Sequence, residues 1–322
     1  MLRTRICQLL GIDDPIINAP MGGTATAELA AAVSMAGGLG MIGGTSPGGP
    51  EWLRAQIRLV RSRTNRPFGV GFISSFPQVD QLFQVAIEER VTAINHSFAD
   101  PTPYVKAAHA AGVLLFSQVQ TVAQAQGAAS AGVDLVVVQG SEAGGHCGST
   151  GTFALVPAVV DAIRPLPVVA AGGIADGRGL AAALMLGAEG AWIGTRFVAS
   201  QEWAGHDWEK QAVIAAGADD TVRTRVYDLI YDQPFPEGIA DRMLRNRYIE
   251  RWQGSDSEII AQREALRIEL HEADQRGDRQ IAGISAGVSA GLVQTLEPAA
   301  TILRRIVTEA ERILRERATQ YQ

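Results

Sequence analysis

The sequence predicts a (β/α)₈ TIM barrel carrying a mostly helical insertion after its eighth strand. Three observations predict it: eight short β-rich runs at near-even spacing, Ala-rich stretches of helical periodicity between them, and a recurring glycine at the ends of those stretches. Alternation of strand and helix means parallel strands joined by crossover helices. Eight units of similar length favour a closed barrel over the alternative, an open doubly wound sheet.

The β-rich runs fall at residues 15–20, 40–44, 68–73, 93–98, 114–119, 135–140, 167–172 and 190–195. Helical spacing fills 26–36, 51–63, 79–89, 102–111, 121–131 and 177–186. Ala36-Gly37, Ala111-Gly112, Ala131-Gly132 and Leu186-Gly187 each stand between a helical stretch and the next apolar run, where glycine suits a left-handed helix end. After Thr195 the texture changes. Trp203, Trp208 and Trp252 occur, and charges thicken from Asp241 to Arg279. Residues 1–203 and 280–322 are therefore expected to form the barrel and 204–279 a helical lid. Residues 298–318 alternate apolar and charged faces and supply the closing helix.

Composition excludes several function classes. Of 322 residues, 47% are hydrophobic and 19% charged, so the chain can bury a large core. The net charge of −6 is the wrong sign for a nucleic-acid binder. The two lysines, Lys106 and Lys210, follow no glycine loop, which removes a P-loop. Two cysteines, Cys7 and Cys147, cannot form a disulfide framework or a four-ligand zinc site, and no histidine spacing suggests a metal. The apolar run at residues 6–12 is short, interrupted by Gln8 and followed by Asp13 and Asp14, so a signal core and a membrane span are not expected and a cytoplasmic location is.

Glycine-rich segments carry the functional signal. GGLGMIGG at 37–44 contains a formal GxGxxG, but it leaves a helix and enters a strand, the reverse of a dinucleotide fingerprint, so tight packing explains it better. PVVAAGGIADG at 167–177 and AWIGTRF at 191–197 leave the seventh and eighth runs through glycine turns into helices. Those are the ordinal positions where many barrels hold a phosphate on backbone N–H groups and helix N-termini. VVVQGSEAGGHCGS at 136–149 leaves the sixth run and places His146 on a mobile glycine frame at the catalytic end of the barrel, with Glu142 beside it. An imidazole there can act as a general base near neutral pH. Cys147 reads as a small loop residue. His96, ending the fourth run, is a second candidate to face the pocket, while His109, His206 and His271 read as surface residues.

INAPMGG at 17–23, AGGLGMIGG at 36–44, VQGSEAGGHCG at 138–148, VVAAGGIADGRGLAAALMLGAEGAWIGTRF at 168–197 and RMLRNRYIERW at 242–252 together resemble the nitronate monooxygenase family, formerly called 2-nitropropane dioxygenases. The resemblance implies an FMN-dependent (β/α)₈ barrel with a helical insertion. Relatives of that family include flavin-dependent enoyl-acyl-carrier-protein reductases and NADH:quinone reductases. By position, the resemblance implies that Ala19, Pro20 and Met21 flank the isoalloxazine and that Gln118 and Gln139 hydrogen-bond flavin or ribityl atoms. It further implies that Gly144 and Gly145 line the ring, that Gly172, Gly173, Gly194 and Thr195 hold the phosphate, and that His146 is the catalytic histidine. The chain departs from the family pattern at Gly71, where an asparagine is common, and at Val288, where a glutamine is common.

The expected function is FMN-dependent oxidation of alkyl nitronates by O₂ to a carbonyl compound and nitrite. Two alternatives stand beside it: an NAD(P)H-dependent flavin reductase of an enoyl thioester or quinone, and a non-catalytic protein binding flavin or another phosphorylated ligand. The expected partners are a small-molecule substrate and O₂, with NAD(P)H as the donor in the reductase alternative. No nucleic acid, membrane or metal is expected, and the sequence leaves oligomeric state open.

Overall fold

The computed structural model describes residues 2–320, with side chains as far as 317; residues 1, 321 and 322, at the ends of the expected barrel segments, lie outside it. In chain order the strands are β1 (Ile16–Asn18), β2 (Gly40–Gly43), β3 (Phe68–Ile73), β4 (Ala93–Ser97), β5 (Leu114–Val119), β6 (Leu135–Gln139), β7 (Gly145–Cys147), β8 (Val168–Ala171), β9 (Ala191–Ile193), β10 (Thr221–Thr224) and β11 (Ala240–Leu244). The helices of the first half are α1 (Arg5–Leu10), α2 (Ala27–Met35), α3 (Gly49–Arg63), α4 (Val79–Glu88), α5 (Thr102–Ala110), α6 (Val122–Ala131) and α7 (Thr152–Ile163). The second half holds α8 (Gly177–Met185), α9 (Thr195–Val198), α10 (Asp207–Ala215), α11 (Val226–Tyr231), α12 (Arg247–Trp252), α13 (Asp256–Arg276) and α14 (Ala299–Gln320).

Eight strands pair in parallel in the order β1-β9-β8-β6-β5-β4-β3-β2, each matching one of the β-rich runs. The two ends of this sheet meet where Ile17 bridges Leu39, which closes the (β/α)₈ barrel. At that seam the fully buried Asn18 side chain replaces part of the ladder. Its Nδ2 donates to the Met41 carbonyl at 2.9 Å, and its Oδ1 accepts from the Met41 N–H at 2.8 Å. An apolar residue there would strand two backbone groups in the core.

The helix-end glycines behave as their positions imply: Gly37, Gly112, Gly132 and Gly187 have φ of +107°, +72°, +90° and +94°. GGLGMIGG is a packing device. A side chain at Gly40 would overlap the Ala30 carbonyl of α2, and one at Gly43 the Met21 carbonyl. The barrel interior is filled by Ile17, Leu39, Met41, Phe116, Val137, Val169 and Trp192, and helix α1 plugs its lower end with Ile6, Cys7 and Leu10. A larger apolar layer joins the outer faces of the strands to the surrounding helices. Arg196, 1% exposed, clips the returning chain to α9 by pairing with Glu297 at 2.6 Å and donating to the Thr295 carbonyl.

Residues 204–279 contain α10 to α13, with their own cluster of Tyr227, Ile230, Met243, Tyr248, Trp252, Leu266 and Leu270. They also contain two strands for which the sequence gives no period-2 signal. β10 and β11 pair antiparallel, and β11 pairs antiparallel with β7 inside the EAGGH segment. The insertion is thus sewn to the catalytic end of the barrel. Among the described residues no helix is long and apolar enough to cross a membrane.

Candidate active site

A cavity of about 780 Å³ opens at the C-terminal ends of the barrel strands, within the range of small-molecule and cofactor sites. The twelve residues to which the family resemblance points all line it: Ala19, Pro20, Met21, Gln118, Gln139, Gly144, Gly145, His146, Gly172, Gly173, Gly194 and Thr195. Strand ends bring them together from across the chain. His96 does not join them. It is buried on the outer face of β4, stacked on Tyr104 at 4.2 Å between ring centroids, with Nδ1 2.7 Å from Ser74 Oγ. Burial pushes its pKa down to about 3, so it stays neutral and packs as a core aromatic.

The His146 frame is a strand and not the mobile loop the glycines suggest, because β11 pairs with it at Asp241↔His146. Its Nε2 lies 2.8 Å from Asp228 Oδ1 on α11, and one ring face stacks on Phe235 at 3.4 Å. Phe98 meets the edge of both rings, 5.3 Å from Phe235 and 6.4 Å from His146. Phe98 holds φ +66°, a left-handed conformation that costs a bulky residue about 1–2 kcal/mol. Asp241 sits beside this pair, accepting from Ser285 Oγ at 3.0 and 3.1 Å. Burial, reinforced by the neighbouring Asp228 and opposed by His146 and Ser285, pushes its pKa up to about 6.

Glu142 has a different task from the one its position suggests. Its carboxylate accepts from the Thr152 N–H and Oγ1, at 2.9 Å each, and so caps α7. Cys147 is buried with its thiol 3.6 Å from the Ser141 carbonyl, and desolvation pushes its pKa up, the opposite of an activated nucleophile.

The polar floor is an amide relay. Ser97 Oγ donates to Gln118 Oε1, and Gln118 Nε2 donates to Gln139 Oε1 at 2.7 Å, where Gln120 Nε2 also donates at 3.1 Å. That arrangement spends the Gln139 carbonyl and leaves its NH₂ as a donor at the cavity wall. At the opposite wall Gly172 and Gly173 have φ of +103° and +78°; a side chain at Gly172 would come within 2.9 Å of Thr152 Oγ1 and 3.0 Å of the Gly140 carbonyl. The N-terminus of α8 is already satisfied, since Asp176 accepts from Arg178 and Gly179 N–H and Glu309 accepts from Gly177 N–H. Any anion at this wall therefore rests on the 172–174 and 194–195 turns and not on the α8 terminus. Thr195 Oγ1 accepts from Gly287 N–H at 2.9 Å, which leaves its backbone for such a role. Among the described residues no group of three His, Cys, Asp or Glu is arranged to hold a metal.

The sequence model of nitronate monooxygenases matches residues 3–86 and 74–309. The chain belongs to the nitronate monooxygenase family. A probable nitronate monooxygenase of Staphylococcus aureus is 31% identical, with 97% of this chain and 98% of that protein aligned. The (3aS,4S,5R,7aS)-5-hydroxy-7a-methyl-1-oxo-octahydro-1H-indene-4-carboxyl-CoA dehydrogenase of Rhodococcus jostii is 37% identical over 70% of this chain and 64% of its own length. Among solved structures, FabK from Thermotoga maritima superposes with a TM-score of 0.91 at 37% identity, covering 100% of both chains. A nitroalkane oxidase from Streptomyces ansochromogenes does so with 0.82 at 26% identity, covering 95% of this chain and 98% of that one. The enzyme is a flavin-dependent oxidoreductase of this family.

The two departures from the family pattern have different standing in this member. Gly71 is fixed by packing, because any side chain there would overlap Pro20 in the cavity wall. Val288 accepts no role in the wall: its N–H donates to the Glu142 carbonyl, and its neighbours Ser285 and Ser289 line the cavity instead. Asp228, Phe235, Phe98 and Asp241 are the site residues sequence reading missed. Asp228 does leave a signal, a carboxylate inside the otherwise apolar turn VYDLIY, where Val226, Tyr227 and Ile230 are buried with it.

Proposed function

We propose that this enzyme uses FMN to oxidise alkyl nitronates with O₂ to a carbonyl compound and nitrite. The observation that carries the reading is His146, which lines a cavity walled by Phe98 and Phe235 and is held by the buried Asp228 2.8 Å away. FMN fits the residues present: Gly172, Gly173, Gly194 and Thr195 would hold its phosphate through backbone N–H groups. Gln118 and Gln139 would meet its polar edge, and Ala19, Pro20, Met21, Gly144 and Gly145 would flank its ring. Bound there, FMN supplies the electron-transfer chemistry that no side chain of the cavity can.

The chain's own residues do the rest. His146 accepts the carbon-bound proton of a neutral nitroalkane, or holds the negative charge of a nitronate that has already lost it. Asp228 fixes the imidazole through Nε2, and Phe235 clamps one face of the ring, so the base meets its substrate in one orientation. The aromatic wall excludes water from the reacting carbon.

The test is His146→Ala on two substrates. Turnover of neutral nitroalkane should fall about 10²–10⁴-fold, the usual contribution of a positioned base, while turnover of pre-formed nitronate falls far less. Equal losses on both would assign the imidazole to binding or electrostatics. The second reading, NAD(P)H-dependent redox chemistry on a thioester or quinone, draws on one specific finding: a relative named as a carboxyl-CoA dehydrogenase is 37% identical over 70% of this chain.

A further inference from the structure

A second cleft of about 360 Å³ lies on the same face of the barrel, and Phe98 and Gln118 line both it and the main cavity. Its other walls are the turn after β4 (Ala99, Pro101), the end of β5 (Ser117, Val119, Gln120) and one flank of α6 (Gln124, Gly127 and the buried Ala128). Pro236 and Ile239 of the insertion complete it.

Two features set the chemistry of an occupant. No lysine or arginine lines the cleft, and its one charge, Asp100, is engaged by the Thr102 N–H at 2.9 Å and Oγ1 at 2.6 Å, so an anion finds no partner there. The amides are held in place at one end each: Gln124 Oε1 accepts from the Gln120 N–H, and Gln120 Nε2 donates to Gln139. Beside Ser117 and the amide side chains, the wall carries the apolar groups of Phe98, Ala99, Pro101, Pro236 and Ile239, together with the buried Val119 and Ala128. Gly127 then has a use. It sits inside α6, where glycine weakens a helix, and a side chain built on it meets nothing within 4 Å. Its missing side chain widens the cleft, and no turn or packing demand elsewhere explains it.

We propose that this cleft receives the uncharged, largely hydrocarbon tail of a substrate whose reacting carbon lies beside His146. The tail leaves the main cavity past Phe98, and the enzyme selects long-chain over short-chain substrates. This rests on the reading that the reacting group sits in the main cavity, and it deepens that reading by naming the substrate as an elongated one.

The experiment measures calorimetric binding of n-alkyl carboxylates from propionate to octanoate to the FMN-loaded wild type, Gly127→Ala and Gly127→Leu. A parallel series of n-alkyl nitronates is measured by turnover. Once the chain reaches the cleft, wild-type affinity should rise several-fold, up to about fourfold per methylene. Gly127→Leu should abolish that rise and leave propionate binding unchanged, with Gly127→Ala intermediate. Unchanged circular dichroism and flavin content show that the variants are folded. Wild-type affinity that ignores chain length overturns the proposal, as does a rise that survives in Gly127→Leu. Chain-length-dependent binding, lost in Gly127→Leu, by a protein that turns over no nitronate supports the tail site and refutes the nitronate reading alone.

Discussion

Replacing Asp241 by asparagine should stabilise the enzyme at neutral and alkaline pH. Its carboxyl is buried at the cavity wall, where the groups that face it are Ser285, His146 and Asp228. Desolvation first, then the like charge of Asp228, lifts its pKa from 3.8 to about 6 against the favourable pull of His146 and Ser285. Each pKa unit is worth about 1.4 kcal/mol, so holding the charged form costs the fold about 3 kcal/mol. The sign follows from proton counts. Below pH 4 both folded and unfolded chains are protonated and no cost arises. Between pH 4 and 6 the folded chain keeps a proton the unfolded chain has lost, so stability falls as pH rises. Above pH 6 the cost is constant. Asparagine keeps an oxygen for Ser285 and carries no charge, but its amide N–H groups need partners, which lowers the expected gain to about 1–3 kcal/mol. Urea unfolding of FMN-loaded wild type and Asp241→Asn across pH 4–8 reads the difference directly. The variant should gain on wild type through the window from pH 4 to 6 and then hold a constant advantage. A difference that does not change with pH, or a variant less stable by a growing margin as pH rises, would refute the reasoning.

Asp228→Asn removes the carboxylate that orients His146. Loss of a charge-assisted hydrogen bond of this kind, about 1.5–3 kcal/mol, should lower kcat on neutral nitroalkane roughly 10- to 150-fold with FMN still bound, checked by steady-state kinetics and the flavin spectrum. Gly173→Asp puts a carboxylate at the proposed phosphate wall, and like charges in a poorly solvated cradle repel strongly, so purified protein should lose its flavin while keeping its far-UV circular dichroism. Full flavin occupancy in that variant would place the phosphate elsewhere.

Local features of the chain carried most of the barrel. Glycine pairs at helix ends, and the glycine turns after β8 and β9, act within a few residues of the strands they serve, so Gly37, Gly132, Gly172 and Gly173 could be placed from spacing alone. The His146 environment is different because it is built by contacts far apart in sequence. Asp228 lies 82 residues from His146, and the β7–β11 pairing that turns a glycine loop into a strand joins residues almost 100 apart. β7 is only three residues long and two of its neighbours are glycines, so no alternation marks it as a strand. Glu142 misled for the opposite reason. An acid next to a histidine loop suggests chemistry, whereas the free N–H groups of α7 claim it first.

The central claim is that nitronates pass electrons to FMN held in this cavity. Anaerobic mixing of the FMN-loaded enzyme with propyl-2-nitronate, with NADH and with NADPH in separate shots reads that claim from the visible flavin bands. The account predicts that the nitronate bleaches the flavin without either nicotinamide, and that admitting O₂ restores it with release of nitrite. Rapid bleaching by NADH or NADPH with no response to the nitronate would contradict it and assign the enzyme to the reductases.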